Sequence, residues 1–237
     1  MKLRFKLAVL LFIICISIVF LLSSNFFRIS NIIVEGNNNV SKEEIIRLSS
    51  IYYGQNIFQI NKKKSMRNIL QNPYSEYIKI SRRLPRTVTI DIIERKPIAL
   101  VPYVGSYLSI DKNGIILEVN TKISKKDIPI IQGLKFNNFK IGDKLNLEDK
   151  QQFDTTVNII NAVNKAEFVN EISGIIMEDI ENLKMTTRKG ITILLGNDNN
   201  IEYKVSFAKT MYDDASQKYL KGTIDIVHYG NPVFSPE

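Results

Sequence analysis

The side chains that do most enzymatic chemistry near neutral pH are scarce in this chain. It has one histidine, His228, close to the C-terminus, and one cysteine, Cys15, inside an uncharged apolar run. Cysteine nucleophiles are thereby excluded from the rest of the chain, and a Ser-His-Asp arrangement would have to use His228. No G-x-S-x-G frames a serine, and His228 closes a strand-like stretch, the setting of a surface histidine. Metal ligation needs a density of His, Cys and carboxylate that scattered acids and one histidine do not supply. Acidic residues do group at Glu178-Asp179 with Glu181, and at Asp213-Asp214. Glycosidic chemistry needs two carboxylates facing each other across a cleft. These groups fit turn and helix surfaces instead, the second beside Lys209 and Lys218 for ordinary pairing. No glycine-rich phosphate loop occurs. The residues describe a non-enzyme without cofactor, metal or small-molecule substrate.

The elements that carry these residues begin with an apolar segment. Leu7 to Leu22 holds no charge, and its character runs on to Phe26 and Phe27. A helix over 7–27 would rise about 30 Å, the thickness of a bilayer's hydrocarbon core. The run is too long for a signal peptide's apolar region, and Leu21 and Leu22 stand where cleavage wants small residues. It therefore reads as an uncleaved transmembrane helix. Lys2, Arg4 and Lys6 precede it, which keeps residues 1–6 as a cytoplasmic tail and sends the C-terminal side out of the cytoplasm. The formal net charge is +8, of which those three basic residues hold +3, leaving +5 outside. On this topology Lys62-Lys63-Lys64 and Arg82-Arg83 lie outside the cell, where nucleic acid is no partner. An exported region without cysteine is held by its core alone.

Beyond the anchor, two parts follow. Residues 28–96 open with the strand Ile29–Val34 and the turn-rich Glu35-Gly36-Asn37-Asn38-Asn39. Ser41-Lys42-Glu43-Glu44 has the form of a capping box, ahead of a helix with Ile45, Ile46 and Leu48 inward. A second helix starts at Asn61 and ends near Asn72-Pro73, with Met66, Ile69 and Leu70 inward and Lys62, Lys63, Lys64 and Arg67 outward. Alternation at Ile78 and Ile80, then at Val88, Ile90 and Ile92, gives two strands. The order β-α-α-β-β makes a small sheet with two helices on one face. Residues 97–230 read as a β-rich domain with two helices, followed by a tail at 231–237. Its strands fall at 107–110 and 115–119 around Asp111-Lys112-Asn113-Gly114, a hairpin signal. Others fall at 128–131, 172–177, 183–187, 191–195 and 223–229. Its helices fall at 148–165, with Phe153, Val157, Ile160 and Val163 inward, and at 201–220, with Val205, Ala208, Met211, Tyr212, Ala215 and Tyr219 inward. The fold class is α+β.

Four stretches resemble the bacterial cell-division family FtsQ/DivIB. Ile29-Ser30-Asn31-Ile32-Ile33-Val34-Glu35-Gly36-Asn37, with Val40-Ser41, is similar to the opening of a POTRA domain placed directly after a membrane span. Arg83-Leu84-Pro85-Arg86-Thr87-Val88-Thr89-Ile90, then Glu94-Arg95-Lys96-Pro97-Ile98-Ala99, resembles the family's "R-x-P-x-T-x-x-I … E-R-x-P-x-A". Tyr107-Leu108-Ser109-Ile110-Asp111-Lys112-Asn113-Gly114 is similar to its "Y-x-x-x-D-x-x-G". Leu195-Gly196, Lys204-Val205 and Gly222-Thr223-Ile224-Asp225 resemble its closing strand–helix–strand. Many members carry a basic residue after this last strand's "I-D-L", where this chain has Val227. The resemblance implies a single-pass scaffold at the division septum whose distal domain binds FtsB/DivIC-like and FtsL-like partners. The bilayer would hold residues 7–27. A last strand that closes a sheet offers unpaired main-chain groups to a partner strand. Thr223, Ile224, Asp225, Ile226, Val227, His228 and Tyr229 are therefore the expected partner-binding residues. POTRA units also bind peptides in secretion and outer-membrane assembly. That setting predicts repeated POTRA units or a C-terminal barrel, and the sequence displays neither.

Overall fold

A helix with no polar stripe has no face to turn toward a core, and the N-terminal run behaves accordingly. The computed structural model describes residues 2–122, 128–219, 221–227 and 232–236. In it, α1 (Lys2–Ser23) leaves its apolar side chains from Leu7 to Leu22 exposed. The Ser17 hydroxyl donates to the Ile13 carbonyl at 2.9 Å, which satisfies a polar group that hydrocarbon could not. The helix stops at Ser23, short of the limit at 27 that composition suggests. Asn25–Phe27 makes one 3-10 turn, and Phe27 turns into the next core, edge-on to Phe58 with ring centroids 5.0 Å apart.

The N-terminal unit runs to Glu94. Its sheet comprises β1 (Asn31–Glu35), β2 (Ser75–Arg83) and β3 (Thr87–Glu94), in the order β1-β3-β2. β1 runs parallel to β3, and β2 antiparallel to it. Ile32 pairs with Val88, Ile78 with Ile92 and Ile80 with Ile90, so period-2 alternation turns one apolar face inward. That face packs on Ile45 of α2 (Lys42–Ser49) and Ile69 of α3 (Lys62–Ile69). Ser41 caps α2 by accepting from the Glu44 N–H at 3.2 Å. The reciprocal half of the expected box is absent, because the Glu44 carboxylate takes the Arg47 guanidinium instead at 2.6 and 2.8 Å. Asn61 caps α3 through the Lys64 N–H. Leu70, expected inward, lies past the end of α3 and is exposed.

One carboxylate closes this unit. Glu94 accepts from the backbone N–H groups of Asn38, Asn39 and Val40 at 2.9, 2.7 and 3.0 Å, and from the Asn39 amide at 3.0 Å. Partial burial works against the charged form, but the convergent donors prevail and hold Glu94 below the ordinary carboxylate range. The turn can approach so closely because Gly36 sits at φ +87, where an added Cβ would lie 2.2 Å from the Ile92 carbonyl oxygen.

The C-terminal unit starts at Arg95. Its strands are β4 (Ala99–Tyr103), β5 (Ser106–Ile110), β6 (Ile116–Asn120), β7 (Ile130–Gln132), β8 (Ile172–Ile176), β9 (Leu183–Thr187), β10 (Ile191–Gly196), β11 (Gly222–Asp225) and β12 (Val233–Pro236). They form one nine-stranded sheet in the order β12-β11-β10-β9-β8-β7-β4-β5-β6. Ile191, Ile193 and Leu195 alternate inward against Ile159, Ile160 and Val163 of α4 (Lys150–Lys165) and Val205, Ala208 and Tyr212 of α5 (Ile201–Ala215). Two strands escape the pattern reading. β4 has three consecutive buried residues followed by Pro102, which gives no alternation, and β12 is four residues long with a proline. The face of α4 also differs from expectation. Thr155, Thr156 and Gln152 are buried beside Ile159 and Ile160, whereas Phe153 and Val157 are half-buried. Polar residues survive there because they are bonded: Gln152 donates to the carbonyls of Gly133 and Met177, and Thr156 to that of Gln152.

The hairpin signal at 111–114 is held from within its own unit. Buried Asp111 accepts from the N–H groups of Asn113 and Ile115 at 2.8 Å each, and its other oxygen takes the Arg95 guanidinium at 2.8 Å.

Two stability predictions follow from these carboxylates. A depressed folded pKa stabilises above the unfolded value, near 4.5, and that contribution is lost as pH falls through the folded pKa. Glu94→Gln should cost the N-terminal unit ~2 kcal/mol at neutral pH and flatten the acid limb of its stability curve, as measured by urea titration at several pH values. Arg95→Ala strands the buried Asp111 carboxylate and should lower the stability of the C-terminal unit by ~3 kcal/mol in the same assay.

Candidate protein-binding edge

Parallel neighbours in a sheet need a crossover, and α5 supplies one between β10 and β11. Its burial sets the position of β11. Val205, Ala208 and Tyr212 sink into the core, and the Tyr212 hydroxyl donates to Glu171 at 2.7 Å. Burial, then the Glu171 carboxylate, push that phenol's pKa well up. At the other end of α5, buried Lys204 reaches back to the Asn197 carbonyl at 2.8 Å and its side-chain oxygen at 3.0 Å. Burial lowers the Lys204 pKa, with Asp198 and Glu181 opposing. Lys204, part of the motif noted above, therefore fixes the β10–α5 turn.

β11 begins at Gly222, whose φ of +155 and missing Cβ are both used: a Cβ there would stand 2.7 Å from the Ser235 carbonyl oxygen and 2.8 Å from the Phe234 ring. Ile224 and Ile226 point into the core, and Thr223 and Asp225 take the other face. The Ile226 N–H donates to the Leu194 carbonyl at 3.0 Å. Alternation then directs the main-chain groups of Ile224 toward β10, and those of Thr223 and Asp225 to the opposite side. Val227 leaves the ladder, its N–H donating to the Asp225 carboxylate at 2.9 Å.

That opposite side is occupied, contrary to expectation. Thr223–Tyr229 was expected to be the closing edge strand; instead β11 ends at Asp225 and β12 pairs antiparallel along it, Thr223 against Ser235 and Asp225 against Val233. A strand of four residues ending in proline carries too little pattern to be legible, and the expected tail at 231–237 hid it. The edge is therefore β12. With Ser235 and Val233 bonded inward, alternation turns the N–H and C=O of Phe234 outward. Val233, Ser235 and Pro236 are exposed; Phe234 is half-buried against Tyr219, ring centroids 5.2 Å apart. Tyr219 itself lies beyond the end of α5 and is exposed. Expected site residues His228 and Tyr229, and the expected helix end at Leu220, lie outside the described residues.

The sheet's far end differs. Along β6, the Ile116 N–H donates to the Asp143 carbonyl at 3.0 Å, the Gly142 N–H donates to that of Ile116 at 2.8 Å, and Ile115 bridges Lys144. A loop covers the start of that edge, whereas among the described residues no strand pairs along the outer side of β12.

The remaining candidates sit apart from this edge. Asp213 pairs with Lys209 at 2.5 Å on α5, and Asp179 is engaged within its turn by the Glu181 N–H and the Asn182 amide. Those hydrogen bonds, that of the Asn182 amide first, lower the Asp179 pKa. Among the described residues no group of three or more His, Cys, Asp or Glu is placed to hold a metal ion. In the N-terminal unit, Lys63, Met66, Arg67 and Leu70 face Glu76, Tyr77 and Ile78 across a groove of about 560 Å³. The basic residues outside α3's core face thus border apolar surface.

Comparison with known proteins agrees with this architecture. The description "POTRA domain, FtsQ-type" matches residues 27–95, and "Cell division protein FtsQ/DivIB, C-terminal" matches residues 99–227. Cell division protein DivIB of Clostridium botulinum strain Hall is 34% identical over 98% of this chain and 91% of its own length. Cell division protein FtsQ of Syntrophotalea carbinolica is 26% identical over 76% of this chain and 63% of its own length. The major extracytoplasmic domain of DivIB from Geobacillus stearothermophilus superposes on 53% of this chain and 97% of its own length, with 15% identity and a TM-score of 0.35, too loose to add weight. With a POTRA unit behind an apolar helix and a mixed sheet that carries the β10–α5–β11 crossover, the chain belongs to the FtsQ/DivIB family of bacterial cell-division proteins.

Proposed function

We propose that this division protein is a non-enzymatic scaffold, held in the cytoplasmic membrane by α1 with its short N-terminal tail inside and both folded units outside, at the division septum. Its partners are FtsB/DivIC-like and FtsL-like membrane proteins, captured by strand addition at the β11–β12 end of the sheet. The observation that carries this reading is the open edge, where the Phe234 main-chain groups face away from the sheet. A partner strand laid along β12 would extend the ladder, and main-chain pairing would supply affinity. Val233 and Ser235, beside Asp225 and Thr223, would help select its sequence. Of the segment 223–229, Thr223 and Asp225 are then part of the site as the partners of β12, and Val227 lies exposed just past the end of β11.

Phe234→Pro removes the outward N–H without touching the inward bonds of Val233 and Ser235. It should weaken binding of a DivIC-like ectodomain roughly tenfold, whereas Phe234→Leu, which keeps the N–H, should not. Calorimetry on the two folded variants separates them, and equal affinity would remove strand addition at β12. Topology has its own check: protease added to intact spheroplasts should digest the chain past Arg28, and full protection of that region would end the exported reading.

A further inference from the structure

The outer end of α1 is welded to two other segments of the N-terminal unit. The Asn56 side-chain amide donates to the Leu22 carbonyl at 2.7 Å, in the last apolar turn of the helix. Ile29 exchanges main-chain hydrogen bonds with Gln55 and Gly54 at 2.9 and 2.8 Å. The β2–β3 hairpin joins from the other side. The Ser30 N–H donates to the Arg86 carbonyl at 2.9 Å, and the Arg86 guanidinium to the Arg28 carbonyl at 3.2 Å. Arg82 closes the ring by donating to the carbonyls of Phe58 and Ile60 at 3.2 and 2.9 Å.

What these segments display is unusual for a surface. Phe26, Tyr52 and Tyr53 are 60%, 63% and 57% exposed, and Phe58 is 37% exposed. Ile29, Ile51 and Ile57 of the same segments are buried in the unit's core and Phe27 packs against it, whereas these four rings are not part of that cluster. The same joined segments carry the exposed cations Arg28, Arg83 and Arg86. Residues 22–34, 50–60 and 81–90 contain no Asp or Glu. Asn56 fixes the depth of the group: a side chain bonded to the last apolar turn lies at the boundary of whatever surrounds that turn. Tyr53 and Phe58 are three and two residues from Asn56, so chain length alone keeps them within ~10 Å of that level.

We infer that these residues form a collar that docks on the headgroup layer of an anionic bilayer. The inference rests on α1 being a membrane anchor, since continuity with that helix selects lipid as the occupant. Aromatic rings with one wet end concentrate at membrane–water interfaces. Guanidinium groups take lipid phosphates in bidentate geometry while their stems lie along apolar surface. A patch without carboxylates meets no repulsion from anionic lipid. The collar would set the N-terminal unit directly on the membrane rather than leave it swinging from a single strand of chain.

The chain has no tryptophan, so one substitution gives one reporter. Tyr53→Trp, Phe12→Trp and Tyr77→Trp are made in the full chain and reconstituted in vesicles of brominated phosphatidylglycerol or brominated phosphatidylcholine. Phe12→Trp reports the anchor. Tyr77→Trp is an exposed control six residues from Arg83 along β2, about 20 Å away. Tyr53→Trp should be quenched several-fold more than Tyr77→Trp in phosphatidylglycerol. It should lose most of that quenching in phosphatidylcholine, or when Arg28, Arg83 and Arg86 are all changed to Gln. If Phe12→Trp is quenched and Tyr53→Trp is quenched no more than Tyr77→Trp, the collar is refuted while the anchor stands. If Phe12→Trp is not quenched, the anchor reading fails and the collar with it. Equal quenching of Tyr53→Trp in both lipids overturns the assignment to anionic lipid.

Discussion

Both sides of the boundary between the two units depend on two adjacent side chains, Glu94 and Arg95, each clasped within its own unit. Glu94 gathers the N–H groups of Asn38, Asn39 and Val40, which locks the turn after β1 and hands the chain to the Ser41 cap of α2. Arg95 neutralises Asp111, whose other oxygen organises the β5–β6 hairpin. Breaking the first clasp would forfeit four converging hydrogen bonds to one carboxylate, and breaking the second would leave the Asp111 carboxylate buried without its guanidinium. Glu94 is thus the last residue of one unit and Arg95 the first of the next.

Those clasps also explain why the motifs were legible. The Glu-Arg of "E-R-x-P", the Asp and Gly of "D-x-x-G", and the Gly after β1 read as family marks, and in the structure each is a backbone-holding device. Strands with one buried face, such as β3 and β10, announce themselves through period-2 alternation. The failures have equally physical causes. β4 is buried at three successive positions and so shows no alternation. α4 hides Thr155, Thr156 and Gln152 inside, where hydrogen bonds replace apolarity. Phe27 looked like the end of a greasy helix because composition cannot tell a lipid-facing phenylalanine from one that turns into a core. Leu70 sits at helical spacing from Met66 but falls just past the last turn.

The candidate edge was the least legible part, for a different reason. Whether a strand is an edge is a property of topology, and no local pattern in Thr223–Val227 records that another segment will pair beside it. The residues were rightly placed at the end of a strand–helix–strand, yet the final neighbour comes from four residues that carry almost no signal.

That neighbour gives the sheet its polarity. At β6, main-chain groups are met by residues 142–145, and a further strand would have to displace them. At β12 the chain covers β11 with a strand that buries little, rests on the Phe234–Tyr219 contact and lets Phe234 point its amide outward. Proteins commonly blunt exposed edges with proline or short strands, and β12 has both features. Pro236 removes one donor, so an added strand would find its acceptor groups and a single well-placed N–H rather than a full ladder. An edge of that kind resists indiscriminate pairing between copies, yet under the proposed strand addition it would accept a partner whose side chains match Val233, Ser235 and their neighbours on β11. Selectivity would then arise from the poverty of the main-chain template, with side chains deciding what the ladder alone is too short to hold.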